Sequence, residues 1–371
     1  MSDSPPQPTL RWGILGTAGI ARKNWQAIHR SGNGRVAAVA SRDPARAAAW
    51  IAENQGQYAF PDPPEAVGGY EALLARDDVD AVYIPLPTGV RKEWVLKAAA
   101  AGKHVMCEKP CGAHAADVAE MTGACRAAGV QFMDGVMFMH SDRLPALREA
   151  LDDGESVGEI KRIASQFSFR APDDFLAGNI RMHSGLEPLG CLGDLGWYNI
   201  RLTLWALRHE MPATVSGRFI SQLGRPDSPE AVPAEFSAEL TFASGPTAGF
   251  YCGFLTEHQQ WANISGTRGN VQIDDFVLPW FGATVGFAVS NADFVIDGCD
   301  FHMERHVRRV TVPEYGDGHA TAQETKLFRN FAALALSGRP DDHWPEIALK
   351  TQRVMDACVA SARRNGEPVS L

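Results

Sequence analysis

Hydrophobic and polar positions follow two different patterns along this chain. Up to about residue 140, short apolar runs alternate with longer stretches in which apolar residues recur at helical spacing. The apolar runs are Leu10–Gly16, Val36–Ser41, Ala81–Leu86, His104–Cys107 and Phe132–Phe138. The helical stretches are Ile20–Arg30, Pro44–Asn54, Glu65–Arg76, Val90–Ala101 and Ala113–Ala128. Strands that alternate with helices in this way predict an α/β fold, a doubly wound parallel sheet with helices on both faces.

The second part of the chain has strand-like runs in close succession, separated by Gly and Pro. Helical pattern is confined to residues 142–153, 194–208, 321–336 and 345–364. The strand-like runs are Ile160–Phe169, Thr214–Leu223, Phe236–Phe242, Thr247–Leu255, Trp261–Ser265 and Asn270–Asp274. This order predicts an α+β domain with a large, mostly antiparallel open sheet. We therefore predict a first domain over residues 1–138, with residues 1–9 as a loose tail, and a second domain over residues 139–371.

Composition and charge exclude several classes of protein. The chain has 371 residues and a formal net charge of -9, which argues against nucleic acid as its partner. No apolar run approaches the ~20 residues that span a bilayer, so we expect no membrane association. The seven cysteines are scattered, which favours reduced thiols in the cytoplasm, and no spacing completes a metal site. They are Cys107, Cys111, Cys125, Cys191, Cys252, Cys299 and Cys358.

A glycine-rich loop follows the first predicted strand. It reads Gly16-Thr17-Ala18-Gly19-Ile20-Ala21, a variant of the G-x-G-x-x-G/A dinucleotide motif. Gly16 permits the tight turn, Ala18 lets the backbone approach a pyrophosphate, and Ala21 allows the helix to pack closely on the strand. The start of the helix offers N–H groups and partial positive charge to phosphates. This position predicts a Rossmann domain that binds a dinucleotide through Gly16, Thr17, Ala18, Gly19 and Ile20.

The end of the second predicted strand indicates which dinucleotide is bound. A strand that binds NAD usually ends in Asp or Glu, which holds the ribose 2′-hydroxyl. Here the strand is followed by Ser41, Arg42 and Asp43. Ser41 can donate a hydrogen bond to a 2′-phosphate, and Arg42 can pair with it. We therefore predict NADP as the cofactor. NAD stays possible, because Asp43 would reach the ribose if the strand ended two residues later.

Another group of polar residues, Glu108, Lys109 and Pro110, follows the strand His104–Cys107. The carboxyl ends of strands in a doubly wound sheet face the ligand crevice, so we expect Lys109 to lie near the nicotinamide. A Lys ammonium there can donate to a substrate oxygen and lower the pKa of a neighbouring acid–base group. The alternative is a surface lysine at a strand end.

Six short segments of the chain together resemble one known family. They are Gly13–Ala21, Ala101–Val105, Glu108–Pro110, Asn179–Arg181, Asp194–Tyr198 and Gly266–Gly269. Over residues 10–368 the chain resembles the glucose-fructose oxidoreductase / inositol dehydrogenase / rhizopine catabolism (Gfo/Idh/MocA) family of oxidoreductases. The specific part of the resemblance is the combination of Glu-Lys-Pro with Asp-x-Gly-x-Tyr. It implies a second domain for substrate binding and oligomerisation, and a homodimer or homotetramer.

The resemblance implies that Lys109, Asp194 and Tyr198 are the catalytic residues. The lysine would orient the substrate, the tyrosine would exchange its proton, and the aspartate would hold its hydroxyls. Asp194 and Tyr198 are four residues apart, so on a helix they share one face. A free phenol titrates near ~10, and a neighbouring ammonium lowers that pKa. Further cofactor contacts are expected at Pro87, Thr88, Glu108 and Lys109.

The chain departs from the family pattern at two places. After the third predicted strand the family commonly has Pro-Asn-x-x-His, whereas this chain has Pro87-Thr88-Gly89-Val90-Arg91. Before the aspartate the family often has three glycines, whereas this chain has a segment with Glu187 and Cys191, which would reshape the sugar pocket. The residues expected to line the substrate pocket are Asn179, Arg181, His183, Asp194 and Tyr198.

The favoured function is that of an NAD(P)-dependent dehydrogenase or reductase acting on CH–OH groups. It would transfer hydride between nicotinamide and a sugar, polyol or related cyclic hydroxyl or keto substrate. Two alternatives stay open. One is a glycoside-processing enzyme that oxidises its substrate transiently and retains its cofactor, and the other is a non-catalytic, cofactor-binding regulator. The presence of Lys109, Asp194 and Tyr198 together argues against the regulator, which needs no proton-transfer set.

Overall fold

The computed structural model describes residues 8–371 of the chain. Strands and helices alternate through the first part of this range. The strands are β1 (Leu10–Leu15), β2 (Gly34–Ser41), β3 (Glu65–Gly68), β4 (Ala81–Ile84), β5 (His104–Cys107) and β6 (Phe132–Asp134). The helices are α1 (Gly19–Ser31), α2 (Pro44–Gln55), α3 (Tyr70–Leu74), α4 (Thr88–Ala100) and α5 (Ala115–Ala127). The strands pair in parallel in the order β3-β2-β1-β4-β5-β6, the order of a Rossmann sheet. The predicted doubly wound parallel sheet is confirmed.

One predicted helix in this part is wrong. The stretch Glu65–Arg76 forms the edge strand β3 and then the short helix α3, rather than a single helix. Gly69 separates them with a φ of 88°, in the left-handed region that side chains other than that of glycine avoid. Residues Glu65–Gly68 pair with the end of β2, so the main-chain pairing decides the structure of this mostly exposed segment.

A late segment of the chain completes this first unit. The compact units are residues up to His140 together with Asp317–Leu349, and Ser141–Gly316 together with Lys350–Leu371. Helix α9 (Gln323–Leu336) places Phe328 and Phe331 against Trp12 of β1, with ring centroids 5.3 and 4.9 Å apart. The sequence analysis gave all of residues 139–371 to the second domain. The difference arises because helical periodicity shows that α9 has a buried face but does not show which sheet it covers.

The second unit is built on a nine-stranded sheet. Its strands are β7 (Ile160–Ser168), β8 (Thr214–Leu223), β9 (Val232–Thr241), β10 (Thr247–Gly253), β11 (Gln259–Gly266), β12 (Asn270–Ile273), β13 (Thr284–Asp297), β14 (Asp300–Pro313) and β15 (Val369–Ser370). Their order is β14-β13-β12-β11-β7-β10-β9-β8-β15, and every adjacent pair except β7 with β10 is antiparallel. The predicted α+β domain with a mostly antiparallel sheet is confirmed.

Besides α1–α5 and α9, the described residues form four α-helices and three shorter helical turns. The α-helices are α6 (Arg143–Asp152), α7 (Asp173–Gly178), α8 (Trp197–Ala206) and α10 (His343–Ala362). Short 3₁₀ turns occupy Met137–His140 and Ile180–Met182, and a π-helical turn occupies Leu192–Gly196, directly before α8. Within residues 8–371 no helix combines the length and apolarity needed to cross a bilayer. The expected loose tail, residues 1–9, falls mostly outside the described range.

The strand pair β13–β14 forms a long hairpin that the sequence pattern did not reveal. Its base is anchored by the buried Val285, Phe287 and Val289, whereas side chains beyond Asn291 are exposed. Phe294 lies opposite Met303, and Ile296 lies opposite Phe301, on one face of the hairpin. The opposite face carries Asp293, Glu304, His302 and His306. The hairpin therefore presents one apolar and one charged surface.

The packing of α9 predicts which part of the molecule a core substitution will weaken. Phe328 is fully buried, and Phe328→Ala should destabilise the protein by about 3–5 kcal/mol because it leaves a cavity beside Trp12 and Tyr83. Hydrogen exchange should rise in β1, α1 and β4. Leu336→Ala, at a partly exposed position of the same helix, is the control and should change little. Faster exchange confined to β7–β12 would contradict the assignment of α9 to the first unit.

Candidate active site

The glycine-rich loop joins β1 to α1 in the manner that dinucleotide binding requires. Gly16 has a φ of 97°, and its N–H donates to the carbonyl of Ala40 at 2.8 Å. Ala18 occupies the N-cap of α1 without a side-chain cap, and the first turn of α1 contains no acidic residue. The first N–H groups of α1 are therefore not taken by a side-chain cap, and no negative charge of that turn opposes a phosphate. The loop fits a pyrophosphate.

The end of β2 is positively charged. Ser41 is buried, whereas Arg42 and Arg46 are exposed, and neither arginine has an ion-pair partner in the part of the chain that the structure describes. Both lie near the phenol of Tyr70: burial raises the pKa of Tyr70, and the two guanidinium charges act in the opposite direction. A side chain at Gly16 would reach the Tyr70 hydroxyl at 3.4 Å. These residues therefore place two cations beside the glycine turn.

Asp43, the residue that kept NAD possible, has a structural function at the start of α2. It is the N-cap of that helix, and its Oδ1 accepts a hydrogen bond from the N–H of Ala45 at 2.9 Å. An N-cap of this kind typically stabilises a helix by about 1 kcal/mol. The acidic group two residues after β2 is thus engaged in capping, which leaves the positive side chains as the charged groups available to a cofactor.

The segment after β5 is held by a buried carboxylate. Glu108 accepts a hydrogen bond from the hydroxyl of Tyr83 at 2.6 Å, and the amide of Asn24 donates to the same hydroxyl at 2.6 Å. The second Glu108 oxygen accepts from the N–H of Lys109 at 3.2 Å. Burial and the Glu108 charge raise the pKa of Tyr83 well above its usual range, so the phenol stays protonated as a donor. The carboxylate of Glu108 is therefore fixed by internal hydrogen bonds.

Arg91 holds the same segment from the other side. It is 3% exposed, and its Nε donates to the carbonyl of Leu86 at 3.0 Å. One terminal nitrogen donates to the carbonyl of Glu108 at 2.8 Å and also to that of Pro110. The hydroxyl of Thr88, itself buried, lies 3.3 Å from this nitrogen. Arg91 therefore ties the loop that begins α4, which includes Pro87 and Thr88, to the segment that carries Lys109.

The second unit places Tyr198 and Asp194 at the junction of two helical forms. Asp194 lies in the π-helical turn and Tyr198 is the second residue of α8. The π-helix is rare and frequently occurs at functional sites. Tyr198 is 6% exposed, and its ring packs edge-on against Phe167 of β7 at 5.6 Å. Its backbone position and ring are therefore well defined.

Asp194 is ion-paired with Arg181. The Nε of Arg181 lies 2.7 Å from Oδ2 of Asp194, and the two side chains are 38% and 12% exposed. The Coulomb attraction of Asp194 raises the pKa of Arg181, with smaller contributions in the same direction from Glu187 and Tyr198. Asp194 and Tyr198 thus both lie within the electrostatic range of one guanidinium.

Two other residues expected to line the substrate pocket shape the chain around Arg181. Oδ1 of Asn179 accepts a hydrogen bond from the N–H of Arg181 at 3.0 Å, which caps the 3₁₀ turn. Nδ1 of His183 accepts a hydrogen bond from the N–H of Gly185 at 3.1 Å. The hydrogen bond from Arg225 is the main cause of the lowered pKa of Asp227, and His183 adds a small contribution in the same direction. These contacts give both residues a local structural function.

Two models of known protein families match this chain. A model of an oxidoreductase family with an NAD-binding Rossmann fold matches residues 10–136, and the GFO/IDH/MocA C-terminal domain matches residues 145–272. The chain belongs to the GFO/IDH/MocA oxidoreductase family. The resemblance seen in the sequence motifs is thus confirmed.

Members of the GFO/IDH/MocA family with assigned activities match over nearly the full length. The chain is 35% identical to D-xylose 1-dehydrogenase (NADP(+)) 2 of Haloferax volcanii, over 95% of this chain and 97% of that one. It is 30% identical to dTDP-3,4-didehydro-2,6-dideoxy-alpha-D-glucose 3-reductase of Actinomadura kijaniata, over 95% and 96%. The crystal structure of a 3-ketoreductase from Actinomadura kijaniata with NADP and TDP-benzene is similar, with a TM-score of 0.75, 28% identity and coverage of 95% and 98%.

Sequence reasoning missed three residues of the site. Arg46 was treated only as part of a helix, although an Arg in the first turn after the second strand is a signal for a phosphate. Tyr70 fell in the stretch wrongly predicted as one helix. Arg91 was recorded as a departure from the family His, and its contacts with three carbonyls could not be read from the sequence because they join separate loops.

The contacts of Arg91 predict a large effect of its removal. Arg91→Met removes this donor from the carbonyls of Leu86, Glu108 and Pro110. The carbonyls of Pro110 and Glu108 keep only long contacts, from Thr88 and Cys107 at 3.5 Å, and a buried acceptor left unpaired costs about 1–3 kcal/mol. The free energy of unfolding, measured by urea titration, should fall accordingly. The matched control is Lys92→Met, which removes a half-buried cation, ion-paired with Asp117 and Glu120, from the next position of α4 and should have little effect. Equal stability of the two variants would show that Arg91 does not hold the segment.

Proposed function

We propose that this protein transfers hydride between NADP and a hydroxyl or keto group of a sugar, polyol or related cyclic substrate. The observation that carries the proposal is the buried Tyr198, which acts on the guanidinium of Arg181 together with the ion-paired Asp194, in a chain whose other unit is a dinucleotide-binding fold. The relatives that match over nearly the whole chain are named as a sugar dehydrogenase and a sugar-nucleotide reductase, which supports the same reaction class. Their names favour catalysis over a purely regulatory function.

The charges at the end of β2 support NADP rather than NAD. A 2′-phosphate adds negative charge near the adenine ribose, and Arg42 and Arg46 supply two cations there. The buried Ser41 hydroxyl adds a neutral donor at the strand end. The pyrophosphate would bind at Gly16, Thr17, Ala18, Gly19 and Ile20, and further cofactor contacts are proposed for Pro87, Thr88, Glu108 and Lys109.

The two arginines predict a change in cofactor selectivity. Arg42→Ala, alone and with Arg46→Ala, should weaken NADPH binding by about 10–100-fold, since a hydrogen bond to a charged group contributes about 1.5–3 kcal/mol. NADH binding should change little, because NADH lacks the 2′-phosphate. Nucleotide fluorescence titration measures both constants. Arg22→Ala removes an exposed, ion-paired arginine of α1 and serves as the control. Equal losses for NADPH and NADH would exclude recognition of the 2′-phosphate.

The chemistry requires hydride transfer and proton transfer at one carbon of the substrate. The nicotinamide, when bound, accepts or donates the hydride. Tyr198 is proposed to take the proton of the substrate hydroxyl as the carbonyl forms, and to return it in the reverse direction. Asp194 would orient a neighbouring hydroxyl, and Lys109 would donate to the reacting oxygen. Asn179, Arg181 and His183 are proposed to border the same pocket.

The proposed roles of Tyr198 and Lys109 predict coupled losses of activity. Cofactor reduction is first screened with D-xylose, other aldoses, inositols, dihydrodiols and 1,5-anhydro sugars, using both NADP and NAD. With the best substrate, Tyr198→Phe should lower kcat by ~10²–10⁴ without changing NADPH affinity. Lys109→Met should also lower kcat, and the double variant should lose less than the product of the single losses, because the two groups serve one transition state.

Tyr58→Phe, at a half-buried position of the first unit, is the control for loss of a phenol hydroxyl. Unchanged turnover in Tyr198→Phe would refute the assignment of the proton-transfer residue. Strictly multiplicative effects in the double variant would show that Lys109 and Tyr198 act independently.

Assembly and compartment are further parts of the proposal. The seven cysteines are free thiols, six of them buried, which supports a reducing compartment such as the cytoplasm. The apolar face of the β13–β14 hairpin, with Phe294, Ile296, Phe301 and Met303 exposed, supports a homodimer or homotetramer in which that face is covered.

A further inference from the structure

We propose that the charged face of the β13–β14 hairpin binds a divalent transition metal, zinc being the best fit, through Asp293, Glu304 and His306. The three side chains come from both strands, so the ion would tie β13 to β14. This inference is separate from the proposed hydride transfer and does not depend on it. The cysteine spacings gave no sign of such a site, because none of its ligands is a cysteine and the hairpin itself was not predicted.

The register of the hairpin places the three residues on one face. Glu304 lies directly opposite Asp293, and His306 lies directly opposite Asn291. Residues two positions apart on a strand point to the same face, so Glu304 and His306 are neighbours along β14. Asp293 is their neighbour across the ladder. The exposed apolar side chains of the hairpin alternate with these residues and point to the opposite face, so the two surfaces are separate.

The distances between the ligand atoms match those around a tetrahedral zinc ion. Nε2 of His306 lies 3.2 Å from Oδ2 of Asp293 and 3.6 Å from Oε2 of Glu304. One ligand atom from each of the three residues lies within 4.8 Å of the others. With zinc–ligand bonds of about 2.0–2.1 Å, two ligands of a tetrahedral ion are about 3.3–3.4 Å apart. Three protein ligands therefore fit one ion, with water as the fourth ligand.

His302 orients one of these ligands. Its Nε2 lies 2.7 Å from Oε1 of Glu304, whereas Oε2 of the same carboxylate is the oxygen that faces His306. Hydrogen bonds of this kind fix the rotation of carboxylates that bind metals. His302 is therefore a positioning residue of the site. One imidazole nitrogen with two carboxylate oxygens favours zinc over Ca²⁺ and Mg²⁺, which prefer oxygen ligands alone.

The charges on this face favour a cation between the strands. Asp293 and Glu304 form a directly opposite pair of carboxylates, and Asp297 and Asp300 form another near the turn. Like charges directly opposite each other destabilise a strand pair. Arg308 of the same face belongs to an ion pair at the base of the hairpin. A divalent ion between Asp293 and Glu304 would convert their repulsion into a cross-strand link.

The cluster lies next to an anchored part of the hairpin. The side-chain amide of Asn291 donates to the carbonyls of Ser156 and Arg268 at 3.2 and 2.9 Å. Beyond Asn291 the side chains of β13 are exposed, and so are those of β14 that pair with them. A two-stranded ribbon without a buried face is only marginally stable in water. A metal bound here would therefore stabilise the outer part of the hairpin.

The test is a titration of the whole protein, prepared without a polyhistidine tag, with Zn²⁺ in competition with a chelating dye. One ion should bind per chain. His306→Ala and Asp293→Asn, one on each strand, should each weaken zinc binding at least about tenfold, and His302→Ala should weaken it about tenfold. Ca²⁺ at millimolar concentration should not displace the zinc.

Hydrogen exchange gives a second readout that does not depend on activity. Zinc should slow exchange over residues 291–306 and leave β7–β12 unchanged, because it binds the closed hairpin in preference to the opened one. The matched control is Asp297→Asn, which removes the same charge from the same face nearer the turn. Cys299→Ser removes the exposed thiol of the turn. Both variants should keep the zinc affinity of the unchanged protein.

Several results would overturn the inference. Unchanged zinc binding in His306→Ala and Asp293→Asn would place the zinc elsewhere. An equal loss in Asp297→Asn would show general attraction to acidic charge, and a loss in Cys299→Ser would assign the binding to the thiol. One ion per two chains would place the site between copies of the chain. If His306→Ala does not fold, Asp293→Asn decides, since it tests the ligand on the other strand.

Discussion

The segment Glu108-Lys109-Pro110 depends on buried polar groups that approach it from two sides. Tyr83 and Asn24 hold the carboxylate of Glu108, and Arg91 holds the main-chain carbonyls on either side of Lys109. Such groups are costly to bury, and they are tolerated because their hydrogen-bonding capacity is used. The result is a lysine on a rigid support, which suits the role proposed for Lys109 at the substrate oxygen.

Arg91 is a departure from the family motif whose contacts have a clear structural role. The family commonly has His at this position, and an imidazole has two nitrogens with which to contact its surroundings. The guanidinium has five N–H donors in a fixed plane, and here they reach the carbonyls of Leu86, Glu108 and Pro110. Arg91 therefore joins two loops through three main-chain acceptors.

The sequence predicted the elements with strong periodicity and missed those decided by distant pairing. The strands β1, β2, β4 and β5 are buried on both faces and read as continuous apolar runs, which is why they were recognised. The edge strand β3 is mostly exposed and depends on β2 for its structure, so its own residues gave no signal. In the site, Asp194 and Tyr198 were found from a sequence motif. The ion pair of Asp194 with Arg181 could not be predicted in this way, because the fold brings their two segments together.

The packing of α9, a late segment of the sequence, in the first unit has a consequence for the synthesis of the protein. Trp12 is fully buried, and part of its cover is Phe328 and Phe331, which follow it by more than three hundred positions. During translation the parallel sheet therefore leaves the ribosome with one aromatic surface uncovered until most of the second unit has been made. The same order means that a product ending near residue 316 would lack the helix that closes its nucleotide domain.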